Sequence, residues 1–465
     1  SYLASSSVLN KILNKDDKKI IINLLNKPSD DQKALKYQCN LAAAAIKNGI
    51  LNKNDKFYKE IITDLLKNPS DDQKALKYQC ILAKAAVKQG ILKAEKPTDK
   101  EIIINLLNKP SNNKDAWRQQ YNLAEIALKN QTLNEEDPIF QKLFSPSNDK
   151  NIRNTQYNVI TNELFVNSTF GKVAIKAFLK NPSNDKDVFE VQYDLAEQAL
   201  KNRTLNEKDA IFQKLFSPSD DENIRNTQYD VITNKLSDNS TFVKVAIKAF
   251  LKNPSTDPNT LQLQCKLANS SVCHEIFNED DKEIITNLLK NPSDDKEVLK
   301  YKCKLANSSV YHKIFNEDDK KIITDLLKNP SNDPKTLYVQ CTLAGSSVLN
   351  KILNKDDKEI ITDLLKNPST DPDTLEFQCE LADILIRNGI LNKNDKFYKE
   401  FITNFLKNPS NNKDAFKVQY DLAEQSLKNK TLNEEDPIFQ KLFSPSVDEN
   451  IRNTQYDVIT NKLSD

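Results

Sequence analysis

Glycine is scarce in this sequence, with only five residues among 465. Phosphate-binding loops, dinucleotide-binding loops and most tight hairpins need glycine where the backbone takes a positive φ, so these devices are close to excluded. Histidine occurs twice, and acid–base catalysis would therefore have to rest on carboxylates, which recur here at helix caps and in charged turns. The composition predicts a chain that is not an enzyme and holds no cofactor.

Neither sign of charge dominates, because 67 Lys and Arg residues face 66 Asp and Glu residues and leave a net charge of +1. Such a chain has no long-range field that would gather nucleic acid or an anionic membrane. No segment approaches the run of about 18 apolar residues that a membrane-spanning helix needs. The charge balance disfavours nucleic acid as a partner, and the hydropathy predicts no insertion into a membrane.

A Pro-Ser pair recurs along the whole chain at intervals of 36, 38 or 41 residues. The twelve anchor prolines are Pro28, Pro69, Pro110, Pro146, Pro182, Pro218, Pro254, Pro292, Pro330, Pro368, Pro409 and Pro445. A period of this length is typical of two-helix solenoid repeats such as HEAT and armadillo units. The sequence therefore predicts an all-α fold, a right-handed α-solenoid of about twelve two-helix repeats. Residues 1–465 form one array in this prediction, with both ends inside a repeat.

Each repeat carries the signals of two helices, helix A and helix B. Three residues after every anchor comes an Asp or Asn that predicts the N-cap of helix A. Apolar residues 7, 11, 14 and 18 positions after the anchor then define one helical face. Helix A is predicted to end at Gly49, Gly90 and Gly389 in three repeats, and at Asn-rich loops elsewhere. A second polar stop, such as residues 278–281, starts helix B, which the next anchor proline ends.

Seven cysteines raise the question of metal or disulfide chemistry. Six of them lie eleven residues after an anchor: Cys39, Cys80, Cys265, Cys303, Cys341 and Cys379. The other six repeats have tyrosine there: Tyr121, Tyr157, Tyr193, Tyr229, Tyr420 and Tyr456. A position that accepts either residue is predicted to be a packing site, with neither disulfide nor metal. The seventh, in Cys273-His274, becomes Tyr311-His312 and Leu349-Asn350 in the next repeats, so no catalytic pair is predicted.

Glutamine recurs ten residues after the anchor in eleven repeats, with Lys302 as the exception. These residues are Gln38, Gln79, Gln120, Gln156, Gln192, Gln228, Gln264, Gln340, Gln378, Gln419 and Gln455. In one interpretation each amide hydrogen-bonds a neighbouring loop or helix end and so fixes the stacking of repeats. In the other, the amides line up as an interaction ladder that reads a peptide backbone or base edges.

The segment 64–93, with the sequence DLLKNPSDDQKALKYQCILAKAAVKQGILK, resembles the helical repeat region of the rickettsial surface cell antigen that binds vinculin. The likeness lies in the order of elements, the bias to Lys, Asn and Ile, and the Ala-rich helix A. No helix A here carries the long apolar face of a vinculin ligand. The resemblance therefore implies only a protein of an intracellular bacterium whose helical repeats engage a host protein.

Taken together, these patterns predict a non-enzymatic scaffold for protein–protein interaction. A protein or peptide partner is expected on the concave face of a monomer, in the cytoplasm or another reducing compartment, including the host cytosol. One alternative is a modular repeat protein that binds single-stranded nucleic acid, although a base-reading code needs a constant step between repeats. Another alternative is a surface antigenic repeat array.

Overall fold

The protein is described from a computed structural model, which covers residues 2–9, 13–52, 56–93, 96–164, 169–238, 240–392, 395–428 and 430–464. These residues form 25 α-helices and four short 3-10 turns, and none of them lies in a β-strand. The chain divides into two compact units. The first comprises 1–216 with 221–228, and the second comprises 217–220 with 229–465.

The helices alternate between the two kinds that the repeat predicts, with helix A odd-numbered and helix B even-numbered. In chain order they are α1 Tyr2–Leu9, α2 Lys18–Leu25, α3 Gln32–Lys47, α4 Lys56–Leu66, α5 Gln73–Lys88, α6 Pro97–Leu107, α7 Lys114–Lys129, α8 Pro138–Phe144, α9 Lys150–Leu164, α10 Thr169–Leu179, α11 Lys186–Lys201, α12 Ala210–Phe216, α13 Glu222–Asn234, α14 Thr241–Leu251, α15 Pro258–Cys273, α16 Lys282–Lys290, α17 Lys296–Tyr311, α18 Lys320–Leu327, α19 Pro334–Leu349, α20 Lys358–Asp363, α21 Pro372–Arg387, α22 Lys396–Leu406, α23 Lys413–Lys428, α24 Pro437–Phe443 and α25 Glu449–Ser464. The 3-10 turns are Leu236–Asp238, Glu279–Asp281, Glu317–Asp319 and Lys355–Asp357.

Helices of the same kind pack on one another within each unit. In the first unit α3, α5 and α7 are successive neighbours, as are α4, α6 and α8. In the second unit α15, α17, α19 and α21 form one layer, and α14, α16, α18 and α20 form the other. Two layers of stacked helices built from a tandem repeat define an α-solenoid, so the predicted fold class is confirmed. The extent of one array over 1–465 stays a prediction.

Every predicted N-cap of helix A is confirmed. Each Asp or Asn side chain accepts a hydrogen bond from a backbone N–H two or three residues later and so satisfies a donor of the first turn. The twelve caps are Asp31, Asp72, Asn113, Asp149, Asp185, Asp221, Asp257, Asp295, Asp333, Asp371, Asn412 and Asp448. Where proline follows the cap, at Pro258, Pro334 and Pro372, it is the first residue of the helix.

Helix A ends in a left-handed residue in nine repeats. The predicted glycines take this conformation, with φ of 69° at Gly49, 66° at Gly90 and 65° at Gly389. In six other repeats the residue is not glycine, namely Gln131, Arg203, Glu275, Lys313, Lys351 and Lys430. The amide beyond it donates back into the last turn, as Ile50 does to the Ala45 carbonyl at 2.9 Å. The turn is therefore a fixed part of the repeat, with or without glycine.

The apolar stripe of helix A forms the core. Leu35, Cys39, Ala42 and Ile46 are all buried, and so is Trp117, which confirms their predicted packing role. The Trp117 ring lies 5.9 Å from that of Phe144 in helix B of the same repeat. Within the described residues no helix is long and apolar enough to cross a membrane.

Candidate functional site

The repeated glutamine closes the junction between helix B and the following helix A. The side-chain Nε2 of Gln79 donates to the carbonyl oxygens of Leu65 at 3.0 Å and Asn68 at 2.9 Å. Its Oε1 accepts from the backbone N–H of Ser70 at 2.8 Å. The anchor proline ends helix B and leaves its last carbonyls without a partner in the helix, and the amide satisfies them. We call this arrangement the glutamine clasp.

All eleven glutamines occupy the same place. Each is at most 8% exposed, and each Nε2 donates to the last turn of the preceding helix B. This geometry supports the interpretation in which the amides fix one helix against the next. The interaction ladder stays a prediction, and a partner would have to displace these internal hydrogen bonds to reach the amides.

Lys302 takes the place of the glutamine in α17. Its Nζ donates to the Asn291 carbonyl oxygen, where the glutamine clasp would have placed an amide. Burial lowers the pKa of Lys302 below the ordinary value for lysine. An ammonium group has no acceptor, so Lys302 cannot take the bond from the next backbone N–H that each glutamine oxygen accepts. The clasp is thus weakened in this one repeat.

The cysteine position is a packing site in most repeats but not in all. The six cysteines are free and buried, and burial raises the pKa of Cys303 and Cys39 to about 12. Tyr121 and Tyr193 are equally buried, which confirms the prediction there. Tyr157, Tyr229 and Tyr420 are only half-buried, and Tyr456 is 69% exposed. The prediction is wrong for Tyr456, whose side chain lies in solvent on α25.

The remaining candidate for chemistry, Cys273-His274, lies at the exposed end of α15. Cys273 is the last residue of the helix and His274 is its C-cap. The nearest polar neighbour of the thiol is the Ser308 hydroxyl, with 3.6 Å between Sγ and Oγ. In the described part of the chain, no three His, Cys, Asp or Glu side chains come together in a way that could hold a metal ion.

A ladder of ion pairs that was not predicted from the sequence joins successive B helices at seven places in the described residues. Asp281 accepts from the Asn278 backbone N–H at 3.1 Å, and the ammonium groups of Lys244 and Lys248 lie 2.7 and 2.8 Å from its oxygens. Although burial raises the pKa of Asp281, the bonds from these groups outweigh it and hold that pKa below its usual value. Equivalent pairs are Lys59–Asp99, Lys100–Asp137, Lys176–Asp209, Lys282–Asp319, Lys320–Asp357 and Lys358–Asp395. The sequence signal for all of these acceptors except Asp99 is an Asn-x-x-Asp box at the start of helix B.

The second unit carries a groove that is lined by residues of helix A and by the N-cap Asp371. It has a volume of about 560 Å³ and lies on α17, α19 and α21. The rings of Tyr338 and Phe377 meet edge to face, with 4.3 Å between their centres. Around the ring of Tyr301 stand the ammonium groups of Lys266, Lys300 and Lys304, at 4.6, 5.3 and 5.4 Å from its centre. These three rings are half-buried, and aromatic rings beside cations are features of protein recognition surfaces.

The two ends of this groove carry opposite charge. Lysines surround Tyr301, whereas α21 contributes Asp373 and Glu376. The pKa of the adjacent Glu380 is raised, first by burial and then by the like charges of Glu376 and Asp383. The groove is therefore positive over α17 and negative over α21.

No family model matches this chain, and no curated protein matches it. Among solved structures, it is similar to a chain in a homology model of the full-length AP-3 complex in an intermediate open conformation, with 11% identity and a TM-score of 0.39. That match covers 100% of this chain and 93% of the other. It is also similar to a chain in the crystal complex of SYS-1 and POP-1, with 10% identity, a TM-score of 0.31, and coverage of 96% and 99%. The stacked helices themselves place the protein in the class of two-helix α-solenoids.

Proposed function

We propose that the protein is a non-enzymatic scaffold that binds another protein through the helix A layer of its second unit. The observation that carries the proposal is a row of exposed apolar side chains at the ends of consecutive helices. Tyr311 at the end of α17 is 76% exposed, and Leu349 at the end of α19 is 60% exposed. Cys273 at the end of α15 is exposed as well. Adjacent large apolar side chains held in water mark interaction sites.

The rest of the chain shows that this row is a departure from the pattern of the repeat. In the other six repeats that share the left-handed turn, the last residue of helix A is basic: Lys47, Lys88, Lys129, Lys201, Arg387 and Lys428. A long cationic side chain at this position is well solvated and interacts favourably with the helix C-terminus. Tyr311 and Leu349 give up that interaction and expose apolar surface. The stability of the fold does not explain why Tyr311 and Leu349 replace a basic residue here. A partner protein that covers these two side chains would explain it.

Affinity capture with the full chain tests this function. The variant Tyr311→Lys/Leu349→Lys restores the residue of the other repeats, so its fold should be retained. The control Lys47→Gln/Lys88→Gln changes the same position in the first unit. We expect the wild type and the control to retain proteins from lysate after nuclease treatment, and the Tyr311→Lys/Leu349→Lys variant to lose them. Retention of the same proteins by that variant would contradict the proposal.

Single-stranded nucleic acid binding is the second candidate, and the lysines around Tyr301 are the observation that favours it. Against it stand the net charge of +1 and the unequal repeat lengths. Salt-sensitive binding of a random RNA pool, lost in Lys266→Asn/Lys304→Asn, would replace the scaffold proposal.

The compartment and the partner's origin belong to the same proposal. Six buried free thiols suit a reducing compartment, whether the cytoplasm of the producing cell or the cytosol of a host. Engagement of a host protein by a bacterial chain, binding on a concave face and a monomeric state stay predictions. Protection of the repeats from protease on intact cells would argue against a surface antigenic array.

A further inference from the structure

Two neighbouring A helices, α15 and α17, also depart from the other repeats twelve residues after the anchor. They carry Lys266 and Lys304 there, whereas α19 has the neutral Thr342. The other repeats with the left-handed turn have neutral or acidic residues: Asn40, Ile81, Asn122, Asp194, Glu380 and Asp421. On this face, positive charge stands where other repeats are neutral or negative, and apolar side chains stand where they are positive. We call the set Lys266, Lys304, Cys273, Tyr311 and Leu349 the reversed face.

The two lysines of the reversed face form no ion pair in the described parts of the molecule. No ion pair among the described residues engages Lys266 or Lys304, and both ammonium groups lie against the Tyr301 ring. Lys300, by contrast, is held by Glu297, with 2.9 Å between Nζ and the carboxylate. Two cations beside one ring leave a positive site that an acidic partner would complement.

Small side chains lie between the lysine row and the apolar row. On α15 and α17 the Ser308 hydroxyl donates to Asn269 Oδ1 at 2.8 Å and closes the seam between the two helices. On α19 the residue at the place of Asn269 is Gly345, where a Cβ atom would lie 3.1 Å from Ile384 Cδ1 of α21. Three repeats of the first unit have longer residues at this position, namely Lys84, Glu125 and Glu197. The reversed face thus has a basic edge and an apolar edge, with short side chains between them.

The distance between the lysine row and the apolar row decides which kind of partner segment can contact both. Lys304 and Tyr311 are seven residues apart on one helix, which is about 10 Å at 1.5 Å per residue. An α-helix with its side chains is about 10–12 Å across and can touch both edges, whereas an extended strand, with neighbours about 5 Å apart, cannot. Neighbouring helices lie about 8–10 Å apart, so a segment crossing from α15 to α19 covers about 16–20 Å, or 11 to 13 helical residues.

We propose that the reversed face binds an amphipathic helix of a partner protein, with acidic residues along one flank and large apolar residues along the other. Acidic residues one or two turns apart on that flank, about 5 to 10 Å, can reach the ammonium groups of Lys266 and Lys304, which both lie against the Tyr301 ring. The apolar flank covers Tyr311 and Leu349. The carboxylates of Glu376 and Glu380 on α21 repel an acidic helix that slides further along the layer. This inference rests on the proposed scaffold function and specifies its partner.

Synthetic helices test the inference with the full chain. The first probe is a labelled, alanine-based helix of 20 residues with Glu on one flank and Leu on the other. The second replaces Glu by Lys, the third replaces Leu by Ser, and the fourth is an extended peptide with the acidic and apolar residues of the first and proline at every third position. Fluorescence anisotropy should show the first probe binding at least tenfold more tightly than each of the others. Equal binding of all four, or tightest binding of the extended peptide, would overturn the inference.

Variants of the chain locate the binding. Lys266→Asn/Lys304→Asn should weaken the first probe at least fivefold and flatten its salt dependence. Tyr311→Ser/Leu349→Ser should weaken it about tenfold at all salt concentrations, while Lys47→Ser/Lys88→Ser leaves it unchanged. An equal loss in this last variant would contradict the assigned face. So would self-association of the chain that Tyr311→Ser/Leu349→Ser abolishes, because the occupant would then be a second copy.

The scaffold proposal and this inference fail in different ways. Capture of proteins that depends on Tyr311 and Leu349, without any preference for the acidic helix, supports the scaffold and refutes the acidic helix as its ligand. If neither double variant of the reversed face changes the binding of the acidic helix, the assigned site is refuted. The scaffold proposal is then decided by the capture experiment alone.

Discussion

The repeats around α3–α7 in the first unit and those around α15–α19 in the second share one frame and differ in surface. The clasp of Gln79 in α5 and that of Gln340 in α19 make the same three bonds, within 0.2 Å. At the exposed end of helix A, the first region has Lys88 where the second has Tyr311. The N-cap and the glutamine clasp thus hold each pair of helices together. The solvent-facing residues of helix A can therefore differ between repeats without disturbing this frame.

The largest effect is expected when the shared frame is broken. Gln340→Ala removes bonds to the Ser331 N–H and to the Leu326 and Asn329 carbonyls, and leaves these buried groups without partners. We expect a loss of about 3 kcal/mol in the free energy of unfolding, measured by urea denaturation. Gln79→Ala in the first region should cost the same. A loss in only one region would show that the frames are not equivalent.

Lys302→Gln tests the same clasp in the opposite direction. It restores the acceptor that the ammonium group lacks and removes a buried charge, so the variant should be more stable by about 1 kcal/mol at pH 7. The pKa of Lys302 is lowered in the folded state, so the unfolded state binds more protons below pH 10.5. The wild type should therefore gain stability relative to the variant as the pH rises toward 10.5.

The ion-pair ladder gives the next effect. Asp281→Asn removes the negative charge that pairs with Lys244 and Lys248 and one of the two acceptor oxygens, and we expect it to cost about 2 kcal/mol at pH 7. Because the folded pKa of Asp281 is lowered, its contribution is complete above the ordinary value of 3.8 and is lost as the pH falls through the folded pKa. Asp99→Asn, with Lys59 alone as the pair, should cost less. Equal costs would mean that the second lysine adds nothing.

The frame was predictable from the sequence because its signals are local. The Asp-Pro starts and the glycine ends fix helix boundaries within a few residues, and all twelve caps follow from that register. The exposure of Tyr456 was not predictable from the same register, because burial depends on which helices pack against a side chain and not on its place in the repeat. The reversed face was visible as a departure between repeats, but only packing shows that Tyr311 and Leu349 lie in solvent.

Substitutions at the cysteine position test the buried core of the repeats. Cys303→Ser places a hydroxyl in an apolar site and should cost about 2 kcal/mol, whereas Cys303→Ala should cost about 1 kcal/mol. The pKa of Cys303 is raised to about 12, so its contribution to stability is complete below pH 9 and is lost as the pH rises through 12. With a thiol reagent, the exposed Cys273 should react first. Rapid reaction of all seven thiols would contradict the core assignment.

The smallest effect concerns the left-handed residue after helix A. The first region has Gly49 and Gly90 there, and the second has Lys313 and Lys351, with φ of 59° and 61°. A side chain in this conformation costs about 1 kcal/mol relative to glycine, because Cβ approaches the following carbonyl oxygen. Lys351→Gly should therefore stabilise the second unit by about 1 kcal/mol in urea denaturation. Gly49→Ala should destabilise the first by the same amount, because nothing lies within 4 Å of the added Cβ and only the backbone strain remains. If both substitutions left the stability unchanged, the two regions would tolerate the turn equally, and their choice of glycine or lysine would have another cause.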